Sequence, residues 1–228
     1  MEVSIVIPIY NSKNLVEKAI RSIVRYMESL CVDYEILLRD DGSTDGSCEI
    51  LKMLSQGFEK VRYFENGTNR GLGFTLKRLF EDAKGDNVVY CDCDLPFGEK
   101  VIKVLLKELQ NSDIIVASRY MGKKNQVGLI RKTTSRAYYF LCRLLFKIRV
   151  SDIGSGSVAF RKNVLDEINL AGEGFVFHIE IFKKALEKGF SIKEIPFEAR
   201  GWQRGSFGII KHGMPTFIDT LKLKFNRL

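Results

Sequence analysis

Asn87-Val88-Val89-Tyr90-Cys91-Asp92-Cys93-Asp94 decides the fold: an apolar run of strand length is stopped by two carboxylates spaced by two. Five residues of this kind read as a strand buried on both faces, left by the chain at Asp92-Cys93-Asp94. Working outward, Leu72 to Ala83 carries a helical apolar pattern and Val61 to Phe64 a strand pattern. Earlier still, Asp45 to about Ser55 is a helix, and Tyr34 to Leu38 a strand ending at Arg39-Asp40-Asp41-Gly42-Ser43. The first strand is Val3 to Ile9, with Pro8 near its end. A helix follows from the N-cap candidate Ser12, with Leu15, Ala19, Ile23 and Met27 at helical spacing. Strands alternating with helices imply an α/β fold, a mostly parallel sheet with helices on both faces. Ligands of such sheets sit at the carboxyl ends of the strands. Tyr10-Asn11, Asp40-Asp41-Gly42-Ser43 and Asp92-Cys93-Asp94 are therefore expected on one rim.

The second half is less regular. Asp113 to Ser118 reads as a strand, Arg131 to Ile148 as a long basic helix, and Gly154 to Arg161 as a turn leading into a strand. Phe177 to Lys188 reads as a helix and Ile192 to Phe197 as a strand. Ile209 to Leu228 has the pattern of a basic amphipathic helix. No repeat or linker interrupts the chain, so residues 1–208 are expected to form one domain, with 209–228 as its terminal helix.

The net charge of +8 is concentrated. Nine basic residues and no acidic one lie between Ile114 and Ser151, and removing those nine from 36 leaves 27 against 28 acidic residues. Such a segment faces phosphate groups, a lipid surface or nucleic acid, or is a solvated helix face. Five cysteines and no export signal predict reduced thiols and a cytoplasmic location. His178 and His212 are the only histidines, and neither belongs to a ligand cluster at zinc spacing. No apolar stretch approaches the roughly 18 residues that span a bilayer.

Asp92 and Asp94, two apart on a strand, would point to one side and repel unless a cation neutralises them. Mg2+ or Mn2+, sharing its shell with phosphates, is the natural partner. Asp40-Asp41-Gly42-Ser43-Thr44-Asp45 reads either as a capped turn or as carboxylates accepting hydrogen bonds from a nucleobase or ribose. Arg131 and Ser135 lie four apart on one helix face and, with Arg119 and Lys132, suit a phosphate grip or a solvated surface. Phe197 to Phe207 gathers Arg200, Trp202, Arg204, Gly205 and Ser206, either a lid over an anionic ligand or a surface loop. Gly71-Leu72-Gly73 and Gly154-Ser155-Gly156 lack the third glycine of a dinucleotide fingerprint.

Taken in order, these pieces resemble family 2 glycosyltransferases of the polyprenyl-phosphate (dolichol-phosphate) mannosyl- or glucosyltransferase type. The likeness runs from residue 3 to 207 and includes Val6 to Asn11, Asp40 to Asp45, Asn69 to Gly73, Lys84-Gly85-Asp86 and Asp92 to Leu95. It continues through Ala117 to Tyr120, Asp152 to Gly156, Glu180 and Glu194-Ile195-Pro196. The resemblance implies a GT-A fold, with a nucleotide-sugar half at 1–95 and an acceptor half at 96–208. Pro8, Tyr10, Asn11, Asp40, Asp41, Ser43, Asn69 and Gly71, with Asp92, would bind a donor such as GDP-mannose or UDP-glucose. Asp92 and Asp94 would hold Mg2+ or Mn2+. Arg119, Arg131 and Ser135, joined by Arg200 and Arg204, would hold the acceptor's phosphate, and transfer would invert the anomeric centre. Asp92, Asp94 and Arg119 are the expected catalytic residues. Ser12, Pro96, Phe207 and the spacing from Arg200 to Ser206 depart from the family pattern and leave the donor and acceptor open.

The implied partners are a nucleotide sugar, a polyprenyl phosphate and a membrane surface on its cytoplasmic face, reached alone or through a membrane-anchored subunit. Lys211, Lys222, Lys224 and Arg227 among apolar neighbours suit an interfacial helix, so a chain ending near Gly208 is expected to lose vesicle binding. Two rivals remain. One is transfer to a glycan or protein hydroxyl with Asp152 or Glu180 as base. The other is a nucleotide-binding relative without turnover. Nucleic acid is not an expected partner, since no recognition motif accompanies the basic segment.

Overall fold

A computed structural model describes residues 1–121, 129–172, 174, 176–198 and 209–225. Seven strands form one sheet: β1 (Val3–Ile9), β2 (Tyr34–Asp40), β3 (Val61–Glu65), β4 (Asn87–Cys91), β5 (Ile114–Ser118), β6 (Ser157–Arg161) and β7 (Ile192–Pro196). Their order is β3-β2-β1-β4-β6-β5-β7. All pairings are parallel except those of β6, which runs antiparallel to both β4 and β5.

The alternation within each strand feeds two cores. Val3, Ile5, Ile7 and Ile9 of β1 face the first core. There they meet α1 (Lys13–Ser29), α2 (Ser47–Gly57) and α4 (Val101–Glu108) through Ile20, Ile23, Met27, Leu51 and Leu105. Val6 and Leu37 face the second core, with Leu76 and Leu79 of α3 (Leu72–Asp82) and Phe177 and Phe182 of α7 (Phe177–Glu187). Sheets covered on both sides need strands that read as continuous apolar runs, which is what β1, β2 and β4 are.

The reversed strand has a functional consequence. In a parallel array only strand ends reach the ligand rim; because β6 runs backwards, its beginning does. The turn Asp152 to Gly156 therefore lies beside the carboxyl end of β4, where Asp92 N–H donates to Gly156 O at 2.8 Å. At the opposite end, Lys84-Gly85 forms a structural knot. Glu35 Oε1 accepts from the Ser4 hydroxyl at 2.7 Å and the Lys84 amide at 2.8 Å, and Oε2 from Arg62 at 2.9 Å. A Cβ on Gly85 would stand 2.5 Å from the Ser4 amide nitrogen, so the backbones meet there only with glycine.

Two short helices escape the sequence reading: α4, and α6 (Lys162–Glu167). Six to eight residues show too few turns for a helical period. Ser12 takes the N-cap position of α1, yet its hydroxyl donates to Tyr10 O at 3.1 Å; Asp45 Oδ2 accepts the Lys13 amide at 2.9 Å instead.

The terminal helix α8 (Ile209–Lys224) forms as expected. It is packed on α5 (Leu129–Phe146): the Tyr138 and Thr220 hydroxyls lie 2.5 Å apart, Lys224 donates to Leu145 O at 2.9 Å, and Leu223 joins the second core. Removing everything after Gly208 would open that core, so truncation does not test membrane docking cleanly. Among the described residues no helix is long and apolar enough to cross a membrane.

Candidate active site

The loops after β1 and β2 are stitched together. Asn11, at a φ of 48°, receives the Thr44 amide on its side-chain oxygen at 2.9 Å and gives its own amide to the Ser43 hydroxyl at 2.9 Å. Tyr10 stands exposed at the rim. Asp40 ends β2 rather than following it; its Oδ2 accepts the amides of Gly42 and Ser43, closing a tight turn. Its Oδ1 is buried with no partner among the described residues. Asp41 differs. Its Oδ1 accepts from Arg70 N–H at 2.8 Å and Asn66 Nδ2 at 2.9 Å, and its Oδ2 from Gly71 N–H at 2.9 Å. Asp41 thus ties the 66–71 loop, with Asn69 and Gly71, to the rim. Gly42 lets that loop close: its Cβ would lie 2.5 Å from the Thr68 carbonyl carbon.

The acidic pair lies just past β4, in a turn, and not on the strand as expected. Strand alternation still predicts Cys91 and Cys93 correctly, since both are buried in the first core. Asp92 is half-buried, and Asp94 is on the exposed side of the turn. Burial pushes the Asp92 carboxyl up to about 6, with the Asp94 charge adding and the Tyr90 hydroxyl and Arg119 opposing. Desolvation also raises Asp94, against the pull of Arg119. Asp92 thus senses the Asp94 charge. Gly156 packs closely against Asp92: a Cβ there would stand 2.4 Å from Oδ2 and 2.9 Å from Pro96 Cγ, so only glycine fits.

Arg119, directly after β5, is 8% exposed and grips Asp152, which is 1% exposed. Nε donates to Oδ2 at 2.9 Å, Nη2 to Oδ1 at 2.7 Å, and Nη2 also to Gly154 O at 2.7 Å. Burial alone would lower the Arg119 pKa, but the Asp152 bonds and charge reverse this and raise it. Asp152 is steadied in turn: its amide and the Ser151 hydroxyl both donate to Glu194 Oε1. The segments Asp152 to Gly156 and Glu194 to Pro196 thus form the seat of one buried cation.

Glu180 is equally committed. It is 1% exposed, and its oxygens accept the amides of Ala171 at 2.9 Å and Gly172 at 2.7 Å and the Lys184 ammonium at 2.6 Å. Neither base candidate is therefore a free carboxylate. Arg131 and Ser135 lie four apart on α5, as expected, but their side chains fall outside the description, and Arg200 and Arg204 fall outside the described residues. Two residues were given no role from the sequence. Tyr90, its hydroxyl on Asp92 Oδ1, was signalled by its spacing of two from that aspartate. His178, buried with Nε2 unpartnered among the described residues and its pKa pushed down to about 4 by burial, has no local signal.

A sheet of this order, with one reversed strand and an acidic pair after β4, defines the GT-A fold of glycosyltransferases. The family model described as glycosyl transferase family 2 matches residues 4–169, and the chain belongs to that family. Its relatives include a dolichol-phosphate mannosyltransferase of Pyrococcus furiosus, 34% identical over 202 residues covering 86% of this chain and 56% of the relative. The glycosyltransferase AglD of Haloferax volcanii is 29% identical over 87% of this chain and 33% of its own length. An undecaprenyl-phosphate 4-deoxy-4-formamido-L-arabinose transferase of Aeromonas hydrophila is 28% identical over 96% of this chain and 65% of its own length. The chain thus spans between a third and two thirds of these relatives. Among solved structures, glucosyl-3-phosphoglycerate synthase from Mycobacterium tuberculosis, in complex with Mn2+, UDP-glucose and phosphoglyceric acid, superposes with a TM-score of 0.75 at 19% identity. The match covers 98% of this chain and 79% of that one. At that identity the likeness concerns the fold.

Proposed function

We propose that this chain transfers a hexose, mannose or glucose, from a GDP- or UDP-sugar to a polyprenyl phosphate, with inversion and with a divalent cation. The observation that carries the acceptor choice is the state of the carboxylates. A hydroxyl acceptor needs a base, yet Asp152 is held by Arg119 and Glu180 by two amides and a lysine. A phosphate monoester, with a second pKa of about 6, is ionised near neutral pH and is already a nucleophile. What it needs is cations in line with the anomeric carbon, and Arg119 is buried beside the acidic pair. Two relatives are named for dolichol or undecaprenyl phosphate.

The cation fits the residues present. The Asp94 charge raises the Asp92 pKa, as a like charge close by does, and Asp94 is on the exposed side of the turn, open to an ion. Among the described residues no third carboxylate, cysteine or histidine joins them, so Mg2+ or Mn2+ would take its remaining oxygens from the donor diphosphate. When bound it would neutralise the departing nucleoside diphosphate. On the donor side, the unpartnered Asp40 Oδ1 would accept an N–H or O–H of the nucleoside, beside Pro8, Tyr10 and Asn11. An orphaned buried oxygen costs about 1–3 kcal/mol, a cost such a ligand relieves.

The lipid acceptor implies work at a membrane surface, peripherally on its cytoplasmic face. Arg136, Phe140 and Leu144 recur every four residues on one exposed side of α5, with Phe140 62% and Leu144 82% exposed and the exposed Lys147 just past its end. Phe225, past the end of α8, is 68% exposed. Apolar side chains flanked by cations suit an anionic bilayer. Mass spectrometry of lipid products, after incubation with Mg2+, a nucleotide-sugar panel and a polyprenyl phosphate, tests the reading. A glycosylated lipid phosphate from one donor is expected. Donor binding without any lipid product would overturn the acceptor assignment.

A further inference from the structure

Tyr90 enters none of the roles assigned so far. On β4, Val89 and Cys91 face the first core, whereas Val88 and Tyr90 face the second. Tyr90 is 2% exposed, so its ring is held by the core and its hydroxyl emerges at the strand's end, donating to Asp92 Oδ1. The ring lies 5.5 Å from that of His178, which sits edge-on to Phe177 at 6.2 Å, and Phe177 stacks on Phe80 at 6.0 Å. An aromatic column thus fixes where the hydroxyl is.

Asp92 is held at three further points. Its amide donates to Gly156 O at 2.8 Å, and its carbonyl accepts the Leu95 amide at 3.0 Å. Its Oδ2 packs against the Gly156 backbone, where a Cβ would stand 2.4 Å away. With the backbone pinned at both ends and Oδ1 bonded from below, the carboxylate has one orientation.

We infer that Tyr90 is a positioning residue for the divalent cation: its hydroxyl holds the Asp92 carboxylate in one orientation, so that it receives the ion without reorganisation. The inference rests on the reading of Asp92 and Asp94 as the cation site. Groups that orient a metal ligand commonly contribute about 10–100-fold in metal affinity. A hydroxyl that merely satisfied a buried oxygen would contribute to stability and leave metal affinity unchanged.

Tyr90→Phe removes that single oxygen and keeps the ring. Mn2+ binding is followed by the electron paramagnetic resonance of the free ion, with UDP and GDP in turn, for wild type and variant. The metal-free melting temperature is measured on both. The expected result is at least about ten-fold weaker Mn2+ binding, with the metal-free melting temperature close to wild type. Turnover would be regained within about two-fold of wild type at saturating Mn2+, because positioning changes occupancy more than the bound site. Equal Mn2+ affinity, or a variant that fails to fold, overturns the positioning role in favour of a structural one. A wild type that binds no Mn2+ with either nucleotide removes the cation site itself, and this inference with it.

Discussion

Asp92 and His178 titrate in opposite senses beneath one rim. Burial, with Asp94 adding, raises Asp92 from 3.8 to about 6, so the folded chain holds that proton more tightly than the unfolded one. Its contribution to stability is present below about pH 4 and is lost as pH rises through 6. Burial lowers His178 from 6.5 to about 4, so its contribution is present above about pH 6.5 and is lost as pH falls towards 4. Each is worth about 3 kcal/mol, and over pH 4 to 6 they nearly cancel. Asp92→Asn removes one side of this balance. Its melting temperature should fall from pH 6.5 to 4.5 far more steeply than that of wild type; parallel profiles would refute the assignment. The same ionisation predicts that Mn2+ raises the wild-type melting temperature more at pH 7.5 than at pH 5, since the ion binds the ionised pair. Among single residues, the places of Asp40, Asp92, Asp94 and Arg119 were legible because each lies at or just past the end of a readable strand. The commitment of Asp41 and Asp152 was not, because their partners are amides, the Asn66 side chain and an arginine that only folding brings near; Lys184 is four residues from Glu180 on one helix, but the Ala171 and Gly172 amides come from outside it.

At the scale of elements, α5 and α8 decide how the chain could meet a lipid surface. The acid-free basic segment was visible in sequence, but which apolar residues of α5 stay uncovered depends on what α8 covers. Tyr138 and Cys142 turn inward, while Phe140 and Leu144 stay out. Phe140→Ser with Leu144→Ser should therefore reduce sedimentation with phosphatidylserine vesicles by at least about ten-fold, a conservative figure for losing two apolar side chains from a bilayer. The melting temperature should hold, since neither side chain is buried. Unchanged sedimentation would remove α5 from the membrane contact. Raised salt should weaken the wild-type interaction through the exposed Arg136, Arg143 and Lys147.

Across the whole molecule the sheet separates the proposed site from a structural knot along its strands. The carboxyl ends carry the acidic pair and the buried cation, and the amino ends carry the knot of Ser4, Glu35, Arg62 and Lys84-Gly85. Glu35 is 3% exposed, and although burial alone would raise its pKa, the bonds from Ser4, Lys84 and Arg62 lower it. Glu35→Ala should destabilise the chain by about 3 kcal/mol in denaturant unfolding, the scale for breaking a buried pair, while UDP or GDP affinity stays within about two-fold. A large loss of nucleotide affinity in a folded variant would show that the two ends are coupled.

The order of apolar runs and the residues ending them determined the alternating elements, the ligand rim and its acidic pair, because strand and helix periods are local properties of the chain. Lys84-Gly85-Asp86 and Asp152 to Gly156 could be quoted as motifs, but their work could not be read from them. Only the tertiary structure showed one closing the amino end of the sheet and the other seating Arg119. The reversal of β6 was likewise settled there, since strand direction is set by pairing between residues some 70 apart, Cys91 with Ser157, and leaves no trace in either strand's own pattern.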